Sequence, residues 1–144
     1  MYRKILVALD HTAADESLIP HVCQLARLCG AELVLFHVAD GWTARHYDEL
    51  NLAESEEMRD DRAYLEKTAC KLREDAQLSV RVLLALGDPP AEILKAAVGE
   101  ACDLIAMTTH GHRLLGDILH GSTIDHVRHR SHLPLLIVRA QRLS

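Results

Sequence analysis

The residues with the most chemical potential in this chain crowd one stretch, M-T-T-H-G-H-R-L-L-G-D-I-L-H-G-S-T, from Met107 to Thr123. Gly111 and Gly121 let backbone amides come close to a polyphosphate, and Gly121-Ser122-Thr123 stands where a helix is expected to open, from about Ser122 to Arg130. Unpaired N–H groups and the positive dipole end of a helix favour an anion, so the segment reads as a phosphate cradle. The competing reading makes Ser122 a simple helix cap, with Asp125 three residues on completing a capping box. Gly111 and Gly116 have P-loop spacing, yet Asp117-Ile118 stands where Lys-Ser/Thr must reach phosphates and magnesium. No G-x-G-x-x-G follows the first strand either, which leaves neither of the two common phosphate loops.

Six histidines fall in the last third: His110, His112, His120, His126, His129 and His132. His126 and His129 are three apart on the expected helix, but Arg128 and Arg130 sit beside them and no carboxylate or cysteine pair completes a ligand set. No metal-ligating residue is assigned. Thr109-His110-Gly111-His112 matches the (H/T)-x-G-H pattern of nucleotidylyltransferases, whose histidine stabilises phosphate charge. In those enzymes the motif follows the first strand, whereas here the first strand leads into Asp10-His11-Thr12, so this enzyme reading is the lesser alternative. No G-x-S-x-G elbow is present and no cysteine has a basic partner, so no catalytic residue is assigned. The four cysteines, Cys23, Cys29, Cys70 and Cys102, fall singly on apolar-periodic segments and read as small core hydrophobes of a reducing compartment.

Positioning these groups falls to a chain of 144 residues, 49% apolar and 26% charged, the size of one domain spanning 1–144. A net charge of −5 and 3% aromatics give no basic field and few stacking surfaces for nucleic acid. No apolar run approaches the ~18 residues of a membrane span, and Tyr2-Arg3-Lys4 enters a strand pattern without a signal-type cleavage site, so a cytoplasmic location is expected. Apolar periodicity switches repeatedly between strand-like and helix-like. Strands are expected at Lys4 to Leu9, Glu32 to Val38, Val80 to Leu86, Asp103 to Met107 and Leu135 to Val138, mostly continuous Ile/Leu/Val runs that suit a parallel sheet covered on both faces. Leu18, Val22, Leu25, Ala26 and Cys29 mark a first helix that stops at Gly30, with Pro20 near its first turns. A second helix, about Glu54 to Ala76, carries Leu65, Ala69, Leu72 and Ala76 on one face, and the acids at its start read as a solvated end. Asp88-Pro89-Pro90 opens a third, running to about Glu100. The product is a single-domain, doubly wound α/β sandwich whose ligands bind beyond the carboxyl ends of the strands, at Asp10, Val38 and the segment after Met107. The long connection from Ala39 to about Ala53, with Trp42, His46 and Tyr47, is a candidate flap over that site.

I-L-V-A-L-D at Ile5 to Asp10, L-A-R-L-C-G-A-E-L at Leu25 to Leu33, F-H-V at Phe36 to Val38, G-D-P-P-A-E-I-L at Gly87 to Leu94, C-D-L-I-A-M at Cys102 to Met107 and L-P-L-L-I-V-R at Leu133 to Arg139 resemble the universal stress protein family over nearly the whole chain. The resemblance implies a Rossmann-like, adenine nucleotide alpha hydrolase-like five-stranded parallel sheet of order 3-2-1-4-5. It also implies a cytoplasmic regulatory protein that binds ATP or a related adenine nucleotide, with Mg2+ or Mn2+ carried on the phosphates and at most slow hydrolysis. Nucleotide-binding members have Gly, two residues, Gly, nine residues, then Gly with Ser or Thr. Gly111, Gly121 and Ser122 fit that pattern, but Thr108 takes the place of the first glycine, and a β-branched residue resists φ > 0. Its hydroxyl, on the other hand, is able to bond a sugar or phosphate oxygen. By the resemblance Asp10 contacts the adenosine part and Val38 lines the adenine. Met107, Thr108, Gly111, Gly121, Ser122 and Thr123 take the ribose and phosphate side. Ala8 and His110 complete the candidate nucleotide-binding set, with Arg113 as a further phosphate contact. His11 stands where the family has a small residue, and narrows the pocket. Leu135 to Val138 form an apolar edge strand that pairing with a second copy covers, as in the family's homodimers. The alternative is a member without nucleotide, acting as a dimeric interaction module toward a regulatory protein partner.

Overall fold

The computed structural model describes residues 1–39, 51–109 and 115–141, and the side chains of all of these but 51–55 and 115–122. The candidate flap residues Trp42, His46 and Tyr47, and His110, Gly111 and Arg113 of the candidate site, lie outside the described residues. Strands and helices alternate as β1 (Lys4–Ala8), α1 (Asp15–Cys29), β2 (Glu32–Ala39), α2 (Asn51–Asp75), β3 (Val80–Leu86), α3 (Pro89–Gly99), β4 (Leu104–Thr109), α4 (Leu115–Arg130) and β5 (Leu135–Arg139). The five strands form one parallel sheet of order β3-β2-β1-β4-β5, the order expected above.

Alternation along β1 explains the two layers of core. Ile5, Val7 and Leu9 point to the side where Leu18, Val22 and Ala26 of α1 meet Leu65, Ala69 and Leu72 of α2. Leu6 and Ala8 point to the other, against Ile93, Ala96 and Ala97 of α3 and Val127 of α4. β1 is therefore covered on both faces, and burying each of its large aliphatic side chains contributes about 1.5–3 kcal/mol. Each helix boundary has a local cause. The N–H of Gly30, in the left-handed conformation at φ 68°, bonds back to the Ala26 carbonyl and ends α1. The Asp88 side chain accepts from the Ala91 N–H at 3.3 Å, with prolines in the first two helical places of α3. α1 runs unbroken through Pro20, which is exposed; the turns leading into it close by shorter bonds, Asp15 N–H to Thr12, Glu16 to Ala13 and Ser17 to Ala14.

Three expectations need correction. α4 opens at Leu115, not near Ser122, because Leu115, Ile118 and Leu119 already carry the helical spacing; Gly121 and Ser122 sit inside the helix, so neither a cap at Ser122 nor an anion-binding helix start there survives. Asp125, meant to close that capping box, is exposed and pairs with Arg128 at 3.3 Å. The cysteines are not uniformly core: Cys23 and Cys102 are buried, Cys29 is half-buried and Cys70 faces solvent, all four as free thiols. Among the described residues no helix is long and apolar enough to cross a membrane.

Candidate functional site

The crossovers place α1 and α2 on one face and α3 and α4 on the other, so the winding direction reverses between β1 and β4. Strand ends splay at such a point and leave a crevice that no crossover covers. Here it is a cleft of about 390 Å³. Of the candidate residues the structure brings Ala8, Asp10, Val38, Met107, Thr108 and Thr123 together on its walls. Phe36, Pro89 and Ile93 add an apolar surface to Val38 and Met107, while Asp10, Thr108 and Thr123 supply polar groups. Gly121 and Ser122 are carried by α4, seven and eight places into the helix, counting Leu115 as the first.

Thr108 answers the question raised by the missing glycine. It lies within β4, paired with Val138 in β5, and the strand conformation suits a β-branched residue. No φ > 0 is required there: the non-glycine residues of positive φ are His11, Gln77 and Ala101 among the described residues. Its buried hydroxyl donates to Asp10 Oδ2 at 3.2 Å and joins the ends of β4 and β1 across the cleft.

A second carboxylate, which the sequence reading passed over, builds the turn that presents Asp10. Asp15 is 1% exposed and accepts three bonds: Asp10 N–H at 2.8 Å, His11 N–H at 2.9 Å and Tyr64 O–H at 2.6 Å. Burial pushes its carboxyl pKa up; those three bonds oppose the rise and the neighbouring Asp10 charge adds to it. The Tyr64 hydroxyl is pushed up too, by burial first and then by its bond to Asp15. Clamped in this way, His11 takes φ 61°, uncommon for a residue other than glycine.

The acids of α2 are not simply a solvated helix end. Asp61 is buried, with its carboxylate 2.7 Å from His11 Nδ1 and 3.5 Å from His37 Nε2, and both Glu57 and Asp61 line the cleft. The signal was present in the spacing: Asp61 lies four residues before Leu65 on the same buried stripe as Ala69 and Leu72. His11, His37 and Asp61 thus belong to the site, the last two absent from the candidates drawn from sequence. No group of three or more His, Cys, Asp or Glu side chains able to hold a metal ion occurs among the described residues.

A doubly wound α/β domain with a mostly apolar cleft and a few polar groups at its switch point has the form that small-molecule sites take. The sequence profile described as "Universal stress protein family" matches residues 1–139, and the chain belongs to that family. Universal stress protein MJ0577 of Methanocaldococcus jannaschii is 29% identical over 159 residues, covering 96% of each chain. A solved structure of MJ0577 superposes with a TM-score of 0.85 at 30% identity, covering 99% of both chains. Two more distant structures share the fold: a universal stress protein in complex with cAMP (TM-score 0.70, 19% identity, 97% and 98% covered) and one from Archaeoglobus fulgidus in complex with dAMP (0.69, 18%, 95% and 98%).

Proposed function

We propose that this chain, as one domain over residues 1–144, binds ATP or a related adenine nucleotide in the β1/β4 cleft and acts as a regulatory protein. The observation that carries the reading is the cleft itself. Apolar Phe36, Val38 and Ile93 suit one face of a planar base, while Asp10, Thr108 and Thr123 suit hydroxyls and phosphate oxygens. Family members solved with cAMP and dAMP support an adenine nucleotide as the ligand class. Val38 then lines the adenine and Asp10 the adenosine part, with Ala8 beside them and Met107 on the ribose and phosphate side. The phosphates run toward Thr123 and the β4–α4 connection, where the sequence has His110, Gly111 and Arg113 ahead of Gly121 and Ser122 on α4. A Mg2+ or Mn2+ ion travels on the phosphates. β5 ends the sheet with Ile137 exposed, and a second copy pairing there gives a homodimer that reports nucleotide state to a protein partner in the cytoplasm.

A member without nucleotide is the second reading. The Thr108–Asp10 bond favours it, since it engages an oxygen the ligand would otherwise use. Analysis of small molecules released on denaturing fresh protein, followed by thermal shift of the emptied protein with Mg-ATP, separates the two. Adenine nucleotide in the supernatant and a dose-dependent rise in Tm are expected. Neither nucleotide nor shift at millimolar ATP leaves the dimeric interaction module.

A further inference from the structure

One wall of the cleft brings together His11, His37 and Asp61. His11 Nδ1 lies 2.7 Å from Asp61 Oδ1. A carboxylate only accepts, so in the neutral ring the Nδ1 proton is committed to Asp61 and Nε2 carries a lone pair. Asp61 is 7% exposed and projects from α2, with its second oxygen 3.5 Å from His37 Nε2. His37 is oriented in turn, Nδ1 donating to the Leu9 carbonyl at 2.8 Å. The His11 ring stacks on Tyr64, centroids 4.1 Å apart and planes 17° from parallel, and its backbone is fixed by Asp15. Its side chain nonetheless keeps 35% of its surface exposed and lines the cleft. Nδ1, one ring face and the backbone N–H of this residue are each engaged by a named neighbour, and such preorganisation favours a hydrogen-bond acceptor that discriminates between ligands.

We propose that His11 is a specificity-determining residue, its Nε2 accepting a hydrogen bond from a donor on the nucleoside end of the ligand, with Asp61 positioning it by fixing the tautomer. The inference rests on the nucleotide reading above. Two groups on adenosine supply that donor chemistry, the exocyclic amine and the ribose hydroxyls. His11, next in sequence to Asp10, lines the cleft with it at the end of β1, the part assigned to adenosine rather than to phosphates.

The test is calorimetric titration of the full chain at pH 8 with ATP, ITP, which has an oxo group in place of the amine, 2′-deoxy-ATP and 3′-deoxy-ATP. Loss of one neutral hydrogen bond weakens binding about three- to tenfold, so ATP is expected to exceed at least one analogue by threefold or more, and that analogue names the donor. His11→Asn, whose side chain tolerates the left-handed backbone, is expected to bring the ratio below twofold. Asp61→Asn offers Nδ1 an amide donor and moves the ring proton to Nε2; it is expected to erase the preference, and to turn it toward ITP if the amine is the donor. A merely structural Asp61 gives no such reversal. Should a variant fail to fold, nitrogen NMR of the wild-type ring decides: Nδ1–H in the free protein and a displaced Nε2 resonance with ATP are expected, and an Nε2–H tautomer overturns the proposal. So does binding of all four nucleotides within twofold, or a preference that survives in both variants. If none of the four binds, the nucleotide reading itself has failed.

Discussion

Tyr64→Phe removes a single oxygen and leaves the ring that stacks on His11, which makes it a clean probe of the turn holding Asp10. The lost bond is short, 2.6 Å, and its acceptor is a carboxylate 1% exposed. Hydrogen bonds to charged groups are worth about 1.5–3 kcal/mol, so a loss of about 2 kcal/mol is expected when Asp15 is ionised. The pH dependence has a definite sign. Burial raises the folded-state pKa of Asp15 above its unfolded value, so the native protein binds the extra proton between the two; this group's unfavourable charging appears as pH rises through that window and vanishes as pH falls below it. Tyr64 opposes the rise. Removing its hydroxyl lifts the Asp15 pKa further and widens the window upward, so the penalty of Tyr64→Phe grows as pH rises through that window, from pH 3, below the ordinary carboxylate value, to pH 8. Urea unfolding of wild type and variant at both pH values measures it, and in an Asp15→Asn background the same change costs only about 1 kcal/mol, the worth of a neutral bond. A penalty that is equal at both pH values and undiminished by Asp15→Asn would refute the claim that a buried carboxylate builds the turn.

Other outcomes follow from single contacts. Gly30→Ala has nothing within 4 Å of the added Cβ, so its cost is conformational alone, about 1–2 kcal/mol by urea unfolding; a neutral result contradicts the left-handed cap. Thr108→Val keeps the buried volume and removes the bond to Asp10, with an expected loss of about 1 kcal/mol; a gain in stability means that the bond across the β1 and β4 ends is not formed. Under native conditions at pH 8, mass spectrometry is expected to find Cys70 alkylated well before Cys102, whose thiol is buried and pushed up to about 11. Glu74→Gln is expected to speed the Cys70 reaction, because the bond to Glu74 raises that thiol; an unchanged rate contradicts the contact.

The architecture was legible because each element has a periodic signature. Ile5 to Leu9, Leu33 to Phe36 and Leu104 to Met107 are continuous apolar runs of strands covered on both faces, and Gly30 and Asp88 mark helix boundaries through φ > 0 and side-chain capping. Strand ends then located Asp10, Val38 and Thr108. The start of α4 was misjudged because Gly121-Ser122 looks like a cap, and local turn chemistry lost to the helical spacing of Leu115, Ile118 and Leu119. His37 and Asp61 were missed for a different reason. His37 sits inside an apolar strand and Asp61 in a run of acids, and only the packing of α2 against β2 reveals that they meet. Asp15 stands in the first turn of α1, where an acid is favoured by the helix dipole alone, so nothing in the sequence marks that its carboxylate turns back to the N–H groups of Asp10 and His11.

The most direct measurement for the account as a whole is an amide NMR titration of the chain with Mg-ATP. Saturable shifts concentrated at Asp10, His11, Val38, Thr108 and Thr123, with Arg3, Glu32 and Ser79 at the opposite ends of the strands unmoved, are expected. No shift at millimolar nucleotide, or shifts centred on Arg3, Glu32 and Ser79, would contradict an adenine nucleotide site in the β1/β4 cleft.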